Sequence, residues 1–244
     1  MRVKQFVKRI IYRERASSED LIRYYRRKGV QIGAYCTFHA PRTIKIDTTQ
    51  PFLITIGNHV EITDQVSILC HDFAWSTFKA EKGDIVGSNA PVHIGNNVFI
   101  GEKSIILKGV TIGDNVIIGA GSIVSHDIPN NSVAAGNPAK IIMTYEEFYE
   151  KRKKEYVSEA KILAKEYVKS TGKIPPKDIF RDFFPLFYVY HENDRIPCSW
   201  QKIIHWGGGK NREKTIKYLM EHEPVYASYD DFISDALGDE IHII

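Results

Sequence analysis

A repeat of six residues constrains this chain more than any other feature. From Ile94 onward, Ile94, Ile100, Ile106, Ile112, Ile118 and Val124 recur at every sixth position. Four residues after each of the first five stands a second small or branched residue: Val98, Ser104, Val110, Val116 and Ser122. Six is neither the period of a helix, about 3.6, nor the alternation of a single strand. It fits a chain that wraps a three-sided prism, with one short strand and one turn per side. The aliphatic residue points to the axis, and the small one points inward near a corner. The intervening Gly-Asn and Gly-Asp pairs supply turn residues that tolerate positive φ. Stacked coils then pair their backbones in parallel, about 4.8 Å apart.

The same register is present earlier, at Ile32, Phe38, Ile44, Ile56, Ile62 and Ile68. It fails at Gln50, which precedes Pro51, so a bulge or loop is expected there. Ile68 and Ile94 are 26 residues apart, not a multiple of six, so part of that interval leaves the prism. The polar segment of about 70–91 is read as an excursion loop. Residues 30–143 form the coil domain. Residues 1–29 precede it as a helical cap: Val3, Phe6, Val7, Ile10 and Ile11 fall at helical spacing, and SSEDLIRYYRRKG reads as a capped helix stopped by Gly29. These helices are expected to cover the edge of the first coil. Residues 144–244 read as a helical extension, with a charged helix at about 145–170 and an aromatic-rich tail that forms its own small core.

The chain has 244 residues, 43% of them hydrophobic, and no apolar run long enough to span a bilayer. With no secretory signal, the expectation is a cytoplasmic protein. Three scattered cysteines, Cys36, Cys70 and Cys198, make neither a disulfide framework nor a zinc site. The net charge of +3 conceals an uneven start: residues 1–29 hold ten Lys or Arg against three acids. That start can meet an anionic surface, which allows weak peripheral membrane contact. It does not make the chain a nucleic-acid binder.

The stretch PVHIGNNVFIGEKSIILKGVTIGDNVIIGAGSIVSHDIPNNSVAAGNPAKII, closed by Gly-Asn-Pro-Ala-Lys, resembles the C-terminal coils of the hexapeptide-repeat acyltransferases. ITDQVSILCHDFAWS resembles the segment that carries their catalytic histidine. Within that family the chain is most similar to capsular and exopolysaccharide O-acetyltransferases. The resemblance implies a mainly β fold, a left-handed parallel β-helix. It also implies acetyl-CoA as acyl donor, a carbohydrate acceptor, no metal, and a homotrimer with its active sites between neighbouring prisms.

On this resemblance His71, at the root of the excursion, is the general base that takes a proton from a sugar hydroxyl as it attacks the thioester. Imidazole suits that work near neutral pH. Asp64 and Asp72 are candidates to orient it or to bind the acceptor, or are solvated turn residues. Trp75 either lies under a sugar ring or anchors the loop. Transfer is direct, so Cys70 is not a nucleophile. The resemblance carries the donor contacts to Phe99, Glu102, Ala120, Ser125, His126 and Lys140. Ala120 would present backbone to the pantetheine arm. Phe99 stands where many relatives have Trp. Ser125 and His126 replace a common Thr-Lys pair, leaving Lys140 as the cation for the 3′-phosphate.

Three other readings compete. One is an N-acetyltransferase of an amino-sugar nucleotide on the same fold. Another is a γ-type carbonic anhydrase, which needs two zinc histidines five residues apart; no two of the nine histidines have that spacing. The third is a non-enzymatic trimeric scaffold.

Overall fold

The computed structural model describes residues 7–8, 10–191 and 194–238. It divides into two compact units, Met1–Phe148 and Tyr149–Ile244. Among the described residues no helix is long and apolar enough to cross a membrane.

In the first unit, residues 7–8 and 10–12 are helical and run into a 3-10 turn, Arg13–Arg15. Val3 and Phe6 lie outside the described residues. Helix α1 (Ser18–Lys28) starts where Ser17 Oγ accepts the Asp20 N–H at 3.2 Å, and it stops at Gly29 with φ 107°. Its Leu21, Ile22 and Tyr25 are buried in the core of the coil that follows. The Ile46 N–H donates to the Tyr25 hydroxyl at 3.0 Å, which ties the helix to the first coil.

Twelve short strands then visit three sheets in turn. They are β1 (Gln31–Ile32), β2 (Thr37–Phe38), β3 (Lys45–Ile46), β4 (Ile54–Ile56), β5 (Val60–Ile62), β6 (Ser67–Ile68), β7 (Val92–Ile94), β8 (Val98–Ile100), β9 (Ile105–Ile106), β10 (Thr111–Ile112), β11 (Val116–Ile118) and β12 (Ile123–Val124). The first sheet is β1-β4-β7-β10 and the third is β3-β6-β9-β12, all parallel. The second is β2-β5-β8-β11, extended by β13 (Ser132–Gly136) and closed by the antiparallel β14 (Ala139–Thr144). Ile94 pairs with Ile112 and Val98 with Val116, each eighteen residues on, so three hexapeptides make one coil. Of the twelve apolar repeat residues, Ile32 is half-buried and the others are buried. The second inward set, Val98, Ser104, Val110, Val116 and Ser122, is buried too.

Two departures from the six-residue register position the site. The third strand of the first coil pairs Ile46, not Ile44, with Ile68, because residues 40–43 make a turn that slips the chain by two; Ile44 is nevertheless buried. The break expected at Gln50 is a 3-10 turn, Pro51–Leu53. The larger departure begins at Cys70. Ile56 pairs with Ile94, 38 residues away instead of eighteen, so twenty residues are added. The root of this excursion is paired with itself: His71 bridges Asn89, and Ala90 N–H donates to the Cys70 carbonyl at 3.1 Å. Its body is more than a loop. It contains helix α2 (Trp75–Lys82), ended by Gly83 at φ 72°. Asp72 Oδ1 accepts the Ala74 N–H ahead of it at 3.0 Å, and the run WSTFKAEK has no glycine or proline to break a helix.

At the corners between the first and second sheets, positive φ falls not on the glycine but two residues later, at Tyr35, His59, Asn97 and Asn115, and at the last corner on Asn131, two residues after Pro129. The asparagines bond in a ladder, Asn97 to Asn115 to Asn131, with each amide donating at 2.8 Å. The preceding glycines are required by close stacking. A Cβ on Gly57 would lie 2.5 Å from the Gly95 carbonyl oxygen in the next coil. Gly57→Ala should therefore destabilise the protein by about 2 kcal/mol, the scale of an overpacked core position. A thermal denaturation midpoint equal to the parent's would contradict this.

The second unit contains most of α3 (Tyr145–Thr171), followed by α4 (Cys198–Ile204), α5 (Gly209–Glu221) and α6 (Tyr229–Leu237). Its core is aromatic. Phe184 stacks on Trp200 at 4.8 Å between ring centroids, Phe187 on Phe232 at 5.2 Å, and Ala160 and Ala164 of α3 are buried with them.

Candidate active site

The corner leading from the third sheet back to the first carries the densest chemistry. Asp47 follows β3 and Cys70–His71 follows β6, so parallel pairing sets them in adjacent coils. The Asp47 carboxylate is 6% exposed. Its Oδ1 accepts the Thr49 N–H at 2.9 Å. Its Oδ2 accepts the Cys70 N–H at 3.3 Å and the Cys70 thiol at 3.2 Å, and it is bonded to His71 Nδ1. Burial alone would raise the carboxyl pKa, but the hydrogen bonds from Thr49, His71 and Cys70 outweigh it and hold the group down at about 2. Asp47 is thus an anion at neutral pH. Burial first, and then Asp47, push the Cys70 thiol up to about 11.

His71 Nδ1 faces a carboxylate that can only accept, so that nitrogen carries the proton in the neutral ring. Nε2 is left with a lone pair. It is buried and, among the described residues, has no hydrogen-bond partner. The edge of Phe73 packs on the imidazole with ring centroids 4.6 Å apart, and Trp75 contacts Phe73 in turn at 6.4 Å. Both aromatics belong to the start of the excursion.

The carboxylate on His71 is therefore Asp47, and not Asp64 or Asp72. Asp72 is adjacent in sequence but points to Lys108, with which it forms an ion pair. That hydrogen bond, with further help from Ala74 and Ser88, lowers its pKa to about 2. Asp64 lies on a different corner, between the second and third sheets, where the Thr43 hydroxyl and the Gln65 amide donate to it and lower its pKa. Sequence reading missed Asp47 because it lies 24 residues before His71, four hexapeptides and not a whole number of eighteen-residue coils, so strict counting puts it on another corner. Counting back from His71 by whole coils does not reach it.

The remaining candidates fall in three places. Glu102 and Ala120 share the corner of Asp64: Lys103 N–H donates to the Asp64 carbonyl at 2.9 Å and Gly121 N–H to the Glu102 carbonyl at 2.7 Å. Glu102 also pairs with Lys103 at 3.4 Å, and Ala120 is exposed. Ser125 and His126, joined by a 2.9 Å hydrogen bond, follow β12 on the same corner as His71. Phe99 faces outward from β8, and exposed Lys140 stands on β14, both in the second sheet. The donor atoms of Asp47, Cys70 and His71 lie within 4.8 Å of one another and have the composition of metal ligands. They are already engaged as a hydrogen-bonded cluster around one carboxylate oxygen, with the thiol protonated.

Residues 91–126 match the bacterial transferase hexapeptide family, a model of six repeats. Together with the coiled parallel sheets, this defines the class: the chain belongs to the hexapeptide-repeat acyltransferases and is an acyltransferase of that family. It is similar to Protein CapG of Staphylococcus aureus, with 45% identity over 139 residues, which is 55% of this chain and 76% of CapG. It is also similar to the galactoside O-acetyltransferase of Escherichia coli K12, 40% identical over 91 residues, 37% of this chain and 44% of that protein. Among solved structures it is similar to a maltose O-acetyltransferase from Clostridium difficile 630, at 31% identity, 52% coverage of this chain, 75% of that one and a TM-score of 0.38. The chain thus spans three quarters of CapG and under half of the Escherichia coli protein.

Proposed function

We propose that the protein is an acetyl-CoA-dependent O-acetyltransferase of a sugar hydroxyl, in a polysaccharide or its precursor, built on a left-handed coil. The observation that carries the chemistry is the free Nε2 of His71, opposite an Nδ1 held by ionised Asp47. Nε2 removes the proton from the acceptor hydroxyl as its oxygen bonds to the thioester carbonyl carbon. The tetrahedral oxyanion collapses, the C–S bond breaks, and the imidazolium returns its proton to the departing CoA thiolate. Asp47 keeps the ring in one tautomer and stabilises its charged form. The sugar acceptor is supported by the Escherichia coli relative, whose name gives a galactoside as the acceptor. Phe73 and Trp75 supply aromatic faces beside His71 for a sugar ring.

Donor contacts through Phe99, Glu102, Ala120, Ser125, His126 and Lys140 belong to the same reading, as do cytoplasmic location and a homotrimer with sites between subunits. The test is CoA release from acetyl-CoA against a panel of neutral sugars, amino sugars and polysaccharides. Turnover with hydroxyl acceptors that lack an amine supports the reading; turnover confined to amino sugars replaces it with N-acetylation. A dilution series of the folded protein tests the trimer, because an active monomer would refute shared sites.

Direct transfer has its own consequence. The Cys70 thiol is protonated at neutral pH and buried against Asp47. Cys70→Ala should keep activity within about fivefold, since it removes one hydrogen bond of ordinary worth. Mass spectrometry of the enzyme mixed with acetyl-CoA should show no acetylated protein. An acetyl adduct lost in Cys70→Ala would overturn direct transfer.

A further inference from the structure

The N-terminal sequence is amphipathic, and its described apolar residues are not used by the coil. Val3, Phe6, Val7, Ile10 and Ile11 follow the i, i+3, i+4, i+7, i+8 spacing of one helical stripe. Around them, the first fifteen residues hold Arg2, Lys4, Lys8, Arg9, Arg13 and Arg15 against the single acid Glu14. Val7, Ile10 and Ile11 are 46, 63 and 64% exposed, and none joins the core formed by the described residues. Capping of the first coil is performed instead by α1, through Leu21, Ile22 and Tyr25. Just behind the stripe the chain is pinned. The Arg15 guanidinium donates to the carbonyls of Pro41, Arg42 and Ile44 at 2.9 to 3.1 Å, and Arg42 sits 4.9 Å over the Tyr12 ring. The anchor holds one end of the segment against the coil, while Val7, Ile10 and Ile11 stay in solvent.

We propose that the helical residues 7–8 and 10–12 lie on an anionic phospholipid bilayer. Val7, Ile10 and Ile11 enter the acyl boundary, and the flanking Lys and Arg meet the headgroups. Charge and hydrophobicity choose the occupant together. A soluble polyanion would satisfy the cations and leave the stripe wet. A two-fold pairing of the segment with its own copy would cover the stripe but set six cations against six. A bilayer surface offers an apolar phase and a negative rim at once. The inference is independent of the acceptor and of acetyl transfer.

The test is sedimentation of the whole protein with vesicles of phosphatidylcholine alone or mixed with phosphatidylglycerol. Pelleting is expected with the anionic vesicles at low salt, weakening as salt rises, and not with phosphatidylcholine alone. Ile10→Glu/Ile11→Glu should weaken it at least about tenfold, and Lys4→Glu/Lys8→Glu similarly, each with unchanged elution on size exclusion. Ile10→Ser/Ile11→Ser is the milder companion if the first variant is poorly folded. Absence of pelleting at low salt would overturn the proposal. So would binding indifferent to the isoleucine substitutions, which marks plain charge attraction, or a change in oligomeric size in those variants, which assigns the stripe to a second copy.

Discussion

His71→Ala should lower the rate of acetyl transfer by roughly a thousandfold, within the range of a lost general base. The prediction rests on one atom. Nε2 is the buried side-chain nitrogen that the described residues leave unbonded, and Nδ1 is already committed to Asp47. The variant should stay folded, because the Asp47 carboxylate keeps the N–H groups of Thr49 and Cys70. The measurement is kcat and KM for CoA release, beside a thermal melt of the same sample. A loss in kcat with the KM for acetyl-CoA near the parent's is the outcome expected of the proposed base, which would act on the acceptor. A folded variant with near-parent turnover would remove His71 from the mechanism. Whatever residual rate persists would measure positioning and backbone stabilisation of the oxyanion.

Asp47→Asn is the second large effect. An asparagine amide nearly matches the carboxylate in shape, but its NH2 donates. If it donates to His71 Nδ1, the ring proton moves to Nε2, and the base is in the wrong tautomer. Activity should fall by at least about a hundredfold, on the precedent of such tautomer errors, while the coil stays intact. The same variant changes the acid stability of the fold. The folded-state pKa of Asp47, about 2, lies below the ordinary unfolded value of about 3.9. A depressed carboxyl contributes stability above the unfolded pKa and loses it as pH falls through the folded one. The parent should therefore lose about 2 kcal/mol from this group between about pH 4 and pH 2. Chemical denaturation across that window should show a shallower decline in Asp47→Asn. An equal slope in both proteins would mean that Asp47 is not held as an anion by its neighbours.

Much of this site could be found in the residues, and the missing part has a definite cause. His71 stands out because the six-residue count breaks immediately after Ile68. A chain that leaves a regular coil must present its first residues at the coil surface. Asp72 and Asp64 were the carboxylates considered, one adjacent to His71 and the other seven residues before it. Their alternative partners, Lys108 and Thr43, come from coils on either side, and only stacking reveals them. Asp47 was hidden because the turn at 40–43 slips the register and the 3-10 turn Pro51–Leu53 then restores it. Two compensating insertions leave the aliphatic count at Ile56 undisturbed and so conceal the residues between them. Helix α2 was read as loop because none of its residues is buried and its few apolar residues make no sustained periodicity.

The sequence by itself determined the coil. A period of six admits one way of burying Ile94 through Val124 on a common axis, and the buried positions follow from counting. It also determined that α1 ends at Gly29 and that the tail carries its own aromatic core. Tertiary structure alone decided which acid meets His71 and which glycines are irreplaceable. Both depend on what lies one coil above or below, and parallel stacking joins residues through a register that an insertion at any turn can shift. The active-site corner is where that register shifts most. There the same carboxylate that a linear reading passed over engages Nδ1 of His71, and Nε2 is left unbonded among the described residues.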